Sequence, residues 1–562
     1  MSLKEYIVTL NTYEDLQSFY DDMETPGGSL YIPERAVDLV NRRPISRNTH
    51  YMLTADEATQ LKSDPRVLDV EINFEERGVT IRPSARVHEE LSQATPTYVD
   101  TETFSKSDTV SSDMVNWGLL RSTQGAPLLN WGSGGTFLGI TETITVTASG
   151  KNVDVVIVDG LIDPTHPEFA VNSDGTGGSR VIQYNWYQNR LAVEGLSNST
   201  YVYTPYVDGS YPSNRTDDND HGCHVAGVVA GNTHGWARDA NIYNISPYST
   251  APSVTSFFMD HVRYWHNNKP INPATGRKNA TVTNHSYGYS WSDNISTVSE
   301  YRYRGTVVTT TTSFSSAELQ SIGVFVSGST MTYPLRSVAA EADYLDAIND
   351  GIIIIGAAGN EYTHIATYSA VTANDYNNYV VSGGFTDTYM RGSATAMSGI
   401  VCVGSAGTSI NEYKSSFSNC GPRVDLYAPG SLIMSSVNSS YPQGGITADD
   451  PRNASYRKTK LSGTSMASPQ VCGLLACLAE TWPTMKQADA LTYVTDVATT
   501  GQLSDGGGGY TDYTALQGSP NNYLYFYKQR PIDGEVYPKV NQGNRPESGL
   551  AWPRPKIYRY GR

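Results

Sequence analysis

Four short segments supply a carboxylate, an imidazole, an amide and a hydroxyl at points where strands end or helices begin. Asp159 follows the apolar run 153–158 in Val-Asp-Gly-Leu-Ile-Asp (158–163), and His221 opens His-Gly-Cys-His-Val-Ala-Gly (221–227). Asn360 ends Ala-Ala-Gly-Asn (357–360), and Ser465 lies in Gly-Thr-Ser-Met-Ala-Ser-Pro (463–469), ahead of a helical apolar stripe. A serine hydroxyl is a weak nucleophile until an imidazole takes its proton, and a carboxylate fixes the tautomer of that imidazole and stabilises its cation. A side-chain amide at a strand end is suited to a developing oxyanion. Singly, Asp159 has a plainer reading as a strand-end cap or a solvated charge. Together they point to acyl transfer.

In the order Asp, His, Asn, Ser, these segments resemble those of the subtilisin-like serine proteases. Further fragments fit the same family: Trp117-Gly118-Leu119, His166-Pro167-Glu168-Phe169, Asn284-His285-Ser286-Tyr287-Gly288, Ser416-Phe417-Ser418-Asn419 and Ala428-Pro429-Gly430. The resemblance covers residues 115–500 and implies a serine endopeptidase. Asp159 would orient His221, His221 would act as general acid and base, Ser465 would be the nucleophile, and Asn360 with the Ser465 N–H would hold the oxyanion. It also implies that Ser286, Tyr287 and Gly288, with Ala357, Ala358 and Gly359, flank an extended polypeptide substrate and pair with its backbone. Three positions depart from the family pattern. Gly160 and Leu161 stand where Ser or Thr and then Gly are usual, so a hydroxyl beside Asp159 is missing. Cys223 replaces a usual Thr, which makes thiol reagents expected inhibitors. The long intervals between motifs predict insertions that restrict access to the cleft.

The runs 153–158 and 351–356 are almost continuously β-branched, as expected of strands buried on both faces of a parallel sheet. A helix carrying Val338, Ala342, Leu345 and Ile348 on one stripe leads into the second run, and Val471, Leu474, Leu475 and Leu478 mark another helix that stops before Pro483. The fold class is therefore α/β, an open parallel sheet flanked by helices, preceded by a small α+β unit. In that unit Tyr6–Leu10 predicts a strand, and Leu16, Phe19, Tyr20 and Met23 predict a helix. Thr54 and Glu57 form a capping box for a helix through Leu61, and Val67–Ile72 alternates as a closing strand. The unit resembles the inhibitor prodomain of the same family. The chain divides into 1–75 (inhibitor-like prodomain), 76–112 (linker), 113–500 (protease domain) and 501–562 (carboxy-terminal extension). The resemblance implies that the unit sends Val67–Ile72 and the residues after it into the cleft as the enzyme's own inhibitor, with autoprocessing between Phe74 and Ser112. Polar stretches at 182–216, 289–334, 362–397 and 437–458 read as surface loops.

A formal net charge of −16 argues against a nucleic-acid partner, and no apolar run is long enough for a membrane span. The opening residues Met1–Tyr6 show no export signal, which predicts an intracellular or virion-associated protein. Cys223, Cys402, Cys420, Cys472 and Cys477 form no CxxC pair and read as reduced, buried thiols. His221, Cys223 and His224 lack a converging further zinc ligand, His234 having no evident reason to face them, so no metal site is expected. No cofactor is required. Calcium at Asp217-Asp218-Asn219-Asp220 is the alternative to a solvated turn. In the tail, basic residues outnumber acidic ones among prolines and aromatics, which suggests an arm, residues 530–562, for an assembly partner. The alternative to an active endopeptidase is a slow or latent subtilisin-fold component of a larger assembly such as a virion.

Overall fold

A computed structural model describes residues 3–33, 39–43, 45–77, 80–83, 99–101, 104–107, 116–128, 144–146, 148–184, 186, 219–247, 258–367, 375–393, 397, 399–409, 411–438, 441, 447–505 and 514–526. Asp217, Asp218 and the tail 530–562 lie outside the described residues. The central sheet runs in the order Val181–Gln183, Asn241–Ile245, Val153–Val158, Ala280–His285, Ile353–Ala357, Val401–Ala406, Leu426–Pro429, Asn522–Tyr523, Thr499–Thr500. All neighbours are parallel except the last pair. Alternation along one strand feeds two cores. Val153, Val155 and Ile157 face the cluster built on helices Asn219–Ala230 and Thr464–Thr481. Val156 and Val158 face helices Phe258–Asn268 and Val338–Asn349. No helix among the described residues is long and apolar enough to cross a membrane.

The first residues form a separate antiparallel sheet, Leu39–Arg42, Asn48–Leu53, Lys4–Leu10, Val67–Ile72, with its own core around Val8, Leu10, Phe19 and Tyr51. The Thr54–Glu57 capping box is present on helix Ala55–Leu61, with the Thr54 N–H donating to Glu57 Oε2 at 2.8 Å and the Glu57 N–H donating to Thr54 Oγ1 at 3.3 Å. Val67–Ile72 stays inside this sheet and does not enter the cleft. It is the segment beyond it, Thr80–Pro83, that leaves the unit and adds to another sheet. Strands Val99–Thr101 and Phe104–Ser107 pair with each other, and the second pairs with Ile144–Val146.

Two expectations change. Much of the polar insertions is strand: Tyr287–Asn294, Val298–Tyr303, Phe325–Ser327, Thr330–Pro334, Asn378–Ser382, Phe385–Tyr389 and Asn453–Leu461. Their Thr and Tyr content suits a pleated, half-buried surface, and polar composition alone concealed it. Helix Val338–Asn349 is also turned differently, since Leu345 is exposed whereas Glu341, Asp343 and Asp346 are buried. The reason is the first unit, which covers the acidic face. Arg43, 1% exposed, donates to Asp260 Oδ2 at 2.7 Å and to Asp343 Oδ2 at 2.6 Å. Asn48 Nδ2 donates to Ala339 O and Asp343 Oδ1. The Tyr13 hydroxyl donates to Asp346 Oδ2 at 2.7 Å, and Arg263 donates to Ile45 O and Tyr13 Oη.

Candidate active site

Three neighbouring parallel strands end at the same edge of the sheet, and each is followed within a few residues by a site candidate. Val153–Val158 leads to Asp159, Ala280–His285 to Ser286, and Ile353–Ala357 to Asn360. The carboxyl ends of the strands are where sites form in open α/β sheets. His221 lies in helix Asn219–Ala230 and donates from Nδ1 to Asp159 Oδ1 at 2.7 Å, with Asp159 fully buried and His221 4% exposed. The Gly160 N–H donates to the same carboxylate oxygen at 2.7 Å. Asp159 Oδ2 accepts no hydrogen bond among the described residues.

Ser465 begins the first turn of helix Thr464–Thr481, where N–H groups have no acceptor within the helix. Asn360 Oδ1 accepts from the Thr464 N–H at 2.9 Å and from Thr464 Oγ1 at 3.0 Å. These two bonds commit the amide oxygen and so fix which way the Asn360 NH2 faces. Pro469 removes the N–H that would bond to the Ser465 carbonyl one turn earlier. That carbonyl instead accepts from Ser286 Oγ at 3.1 Å, and Ser286 Oγ also meets Ser468 Oγ at 2.9 Å. In return the Ser465 hydroxyl donates to Ser286 O at 3.0 Å. The nucleophile candidate is thus held against the backbone of the strand end.

Ser286 and Tyr287 have buried side chains, the Tyr287 hydroxyl meeting that of Tyr344 and His285 Nδ1 at 3.1 Å from it. What remains for a peptide is the backbone edge of Tyr287–Ser290, and Thr80–Pro83 already lies along it. The pairing is antiparallel: Tyr287 with Pro83, Gly288 with Arg82, Tyr289 with Ile81 and Ser290 with Thr80. Ala357 and Ala358 are buried, and Ala358 O accepts from the Ser393 N–H and from Asn419 Nδ2. Gly359 has φ +104°, and a Cβ there would lie 2.4 Å from Asn419 Nδ2, so glycine is required at that turn.

The other metal and thiol candidates separate. His224 Nε2 donates to the carbonyls of Ile433 and Thr459 at 2.9 and 3.2 Å, and burial pushes its pKa down to about 3. His234 lies 4.0 Å from Glu168. Cys223 is fully buried with its thiol pKa raised by burial, so its reaction with thiol reagents is not favoured, contrary to expectation. Among the described residues, no group of three or more His, Cys, Asp or Glu is placed to hold a metal ion. All five cysteines are free and buried.

Sequence reasoning missed Thr464, Asn244 and the Arg43–Asp260–Asp343 contact. Acidic residues interrupting the helix 338–349 were the readable signal for the last.

The subtilase family profile matches residues 150–518. The chain belongs to the subtilase family. This subtilase is 26% identical over 387 residues to the alkaline proteinase of Hapsidospora chrysogena, a match covering 69% of this chain and 64% of that protein. It is also 26% identical over 362 residues to subtilisin-like protease 3 of Trichophyton equinum, covering 64% of this chain and 58% of that one. The chain therefore spans less than two thirds of the length of these curated relatives. Fervidolysin from Fervidobacterium pennivorans, described as a keratinolytic enzyme related to subtilisin, shares the fold with a TM-score of 0.50 at 16% identity, over 92% of this chain and 60% of that one.

Proposed function

We propose that this subtilase is a serine endopeptidase acting on extended polypeptide, made as a latent chain that its own residues 80–83 hold closed. The observation that carries the reading is the buried 2.7 Å bond from His221 to Asp159, at the sheet edge where Asn360 and the helix start with Ser465 also lie. In the reaction the Ser465 hydroxyl turns from Ser286 O towards His221 Nε2, gives up its proton there and attacks the scissile carbonyl carbon. Asp159 stabilises the imidazolium without taking the proton. The tetrahedral oxyanion is met by the Ser465 N–H and the Asn360 amide. His221 then returns the proton to the leaving amine, and water releases the acyl group by the same route. Nucleophile, base and donors all come from this chain, so the steps call on no cofactor.

Support for latency comes from the direction of Thr80–Pro83, which approaches Ser286 from its amino-terminal end, as the non-primed side of a substrate would. That direction favours a cleavage site beyond Pro83. Autoprocessing within 84–90 would leave the first unit bound through its ion network as an inhibitor, while strand Phe104–Ser107 remains paired to Ile144–Val146. The intact mass of purified protein tests this. Wild type should yield an amino-terminal fragment ending within 84–90 and should hydrolyse an unfolded protein substrate, and Ser465→Ala should do neither. Full-length wild type without hydrolysis would leave the structural, latent alternative standing.

A further inference from the structure

Asn244 plays no part in the resemblance and touches none of the proposed reacting atoms, yet it grips the turn that carries the catalytic aspartate. It is the last residue but one of strand Asn241–Ile245, next to Val153–Val158, is 2% exposed, and donates both amide hydrogens, to Ile157 O at 3.0 Å and to Gly160 O at 3.0 Å. These two carbonyls lie on either side of Asp159. The strand ladder runs out at the pairing of Ile245 with Val158, and the last main-chain link is the Asp159 N–H to Ile245 O at 3.2 Å. Beyond it, the Gly160 carbonyl would have no partner in the sheet. On its other side that carbonyl is pressed against Gly222, the residue after His221: a Cβ on Gly222 would lie 2.1 Å from Gly160 O. The Gly160 carbonyl is thus wedged between the Asn244 amide and the backbone of the His221 helix. The main chain of Asn244 is itself held, because its backbone carbonyl accepts from Trp186 Nε1 at 2.7 Å.

We propose that Asn244 is a positioning residue for the Asp159–His221 pair, doing from the neighbouring strand what a hydroxyl at position 160 does not do here. Gly160 supplies only its N–H to the carboxylate, and Asp159 Oδ2 has no donor among the described residues. With one oxygen of the carboxylate unsupported, the orientation of Asp159 depends on the turn, and the turn is set by the two bonds from Asn244. The inference rests on the proposed role of Asp159 as orienter of His221.

The test is the low-field proton resonance of the His221–Asp159 hydrogen bond, assigned by its absence in His221→Ala, read beside kcat per fluorophosphonate-titrated site. The resonance does not require turnover, so it reports on Asn244 even if the enzyme proves inactive. In that case the proposed function fails separately, through wild type that neither labels nor hydrolyses. Asn244→Ala should lose or broaden the resonance and lower kcat about tenfold with KM unchanged, the loss of two neutral hydrogen bonds acting through the base. Gly160→Ser in the Asn244→Ala background should restore part of both, which a merely structural role would not predict. Asn244→Ser, able to donate only one bond, should fall between, and it serves if the alanine variant does not fold. An unchanged resonance in Asn244→Ala or in Asn244→Ser would overturn the proposal. So would loss of thermal stability with an unchanged resonance and unchanged kcat per titrated site.

Discussion

At the residue scale, the proposed chemistry depends on a few bonds whose removal has distinct signatures. Because nucleophile, base and orienter act as a unit, Ser465→Ala should cost about as much turnover as removing all three. Asn360→Ala should lower kcat on the order of 10²–10³-fold with little change in KM, since the oxyanion exists only in the transition state. Thr464→Val separates the donor from its holder. It keeps the Asn360 amide but removes the Oγ1 bond to Asn360 Oδ1, and it also removes the acceptor for the Gly359 N–H at 3.1 Å. A neutral hydrogen bond contributes about 0.5–1.5 kcal/mol, so kcat should fall roughly 3–10-fold, well short of Asn360→Ala. Steady-state kinetics on a peptide ester check all three. The four segments carrying these residues were legible because each sets a polar side chain among small residues at a strand end or helix start, in one fixed order. Thr464 and Asn244 were not, because their importance lies in what they bond across strands distant in sequence.

At the element scale, helix Val338–Asn349 shows how packing overrides periodicity. Its apolar stripe was readable, but which face is covered was decided by the docked first unit, whose Glu71 accepts from the Val338 N–H at 3.0 Å and from Ser337 Oγ. An anionic group suits a helix start. Burial nevertheless pushes the Glu71 pKa up to about 7, with Asp69 and Glu341 adding repulsion, and Glu341 is itself paired with Arg336 at 2.6 Å. With its pKa raised in the docked state above the ordinary value near 4.3, Glu71 takes up a proton on docking. Docking is therefore unpenalised at acid pH and weakens as pH rises from about 4.3 to 7, by at most about 1.4 kcal/mol per unit, before levelling off. Glu71→Gln should flatten this dependence. The check is equilibrium unfolding of the Ser465→Ala chain with and without Glu71→Gln between pH 5 and pH 8, where the stability difference between the two should move in favour of Gln as pH rises.

For the whole molecule, the first unit and the body carrying the candidate site are joined by buried charge. Arg43 lies between Asp260 and Asp343 with all three nearly inaccessible to solvent, and burial raises the Asp260 pKa to about 7 even beside that guanidinium. Breaking such a contact from one side leaves buried carboxylates uncompensated, a cost of about 3–5 kcal/mol. Arg43→Ala should thus release the first unit and speed the appearance of activity towards an added substrate, read as a shortened lag. The α/β class was legible from β-branched runs, and so were the bounds of Val153–Val158, whereas the run 351–356 forms strand over Ile353–Ala357. The strands of the insertions were not, since Ser, Thr and Tyr read as loop until a partner strand lies beside them, Thr330–Pro334 beside Tyr287–Asn294 and Asn378–Ser382 beside Val298–Tyr303. Strand Tyr287–Asn294 pairs with Thr80–Pro83 and not with Val67–Ile72, which is already used within its own sheet.

The central claim, that Ser465 is an activated nucleophile, is tested most directly by peptide mapping after treatment with a fluorophosphonate. The account predicts a single adduct on Ser465, absent from Ser465→Ala and strongly slowed in His221→Ala. No adduct in wild type, or an adduct on any other serine with Ser465 unmodified, would contradict it.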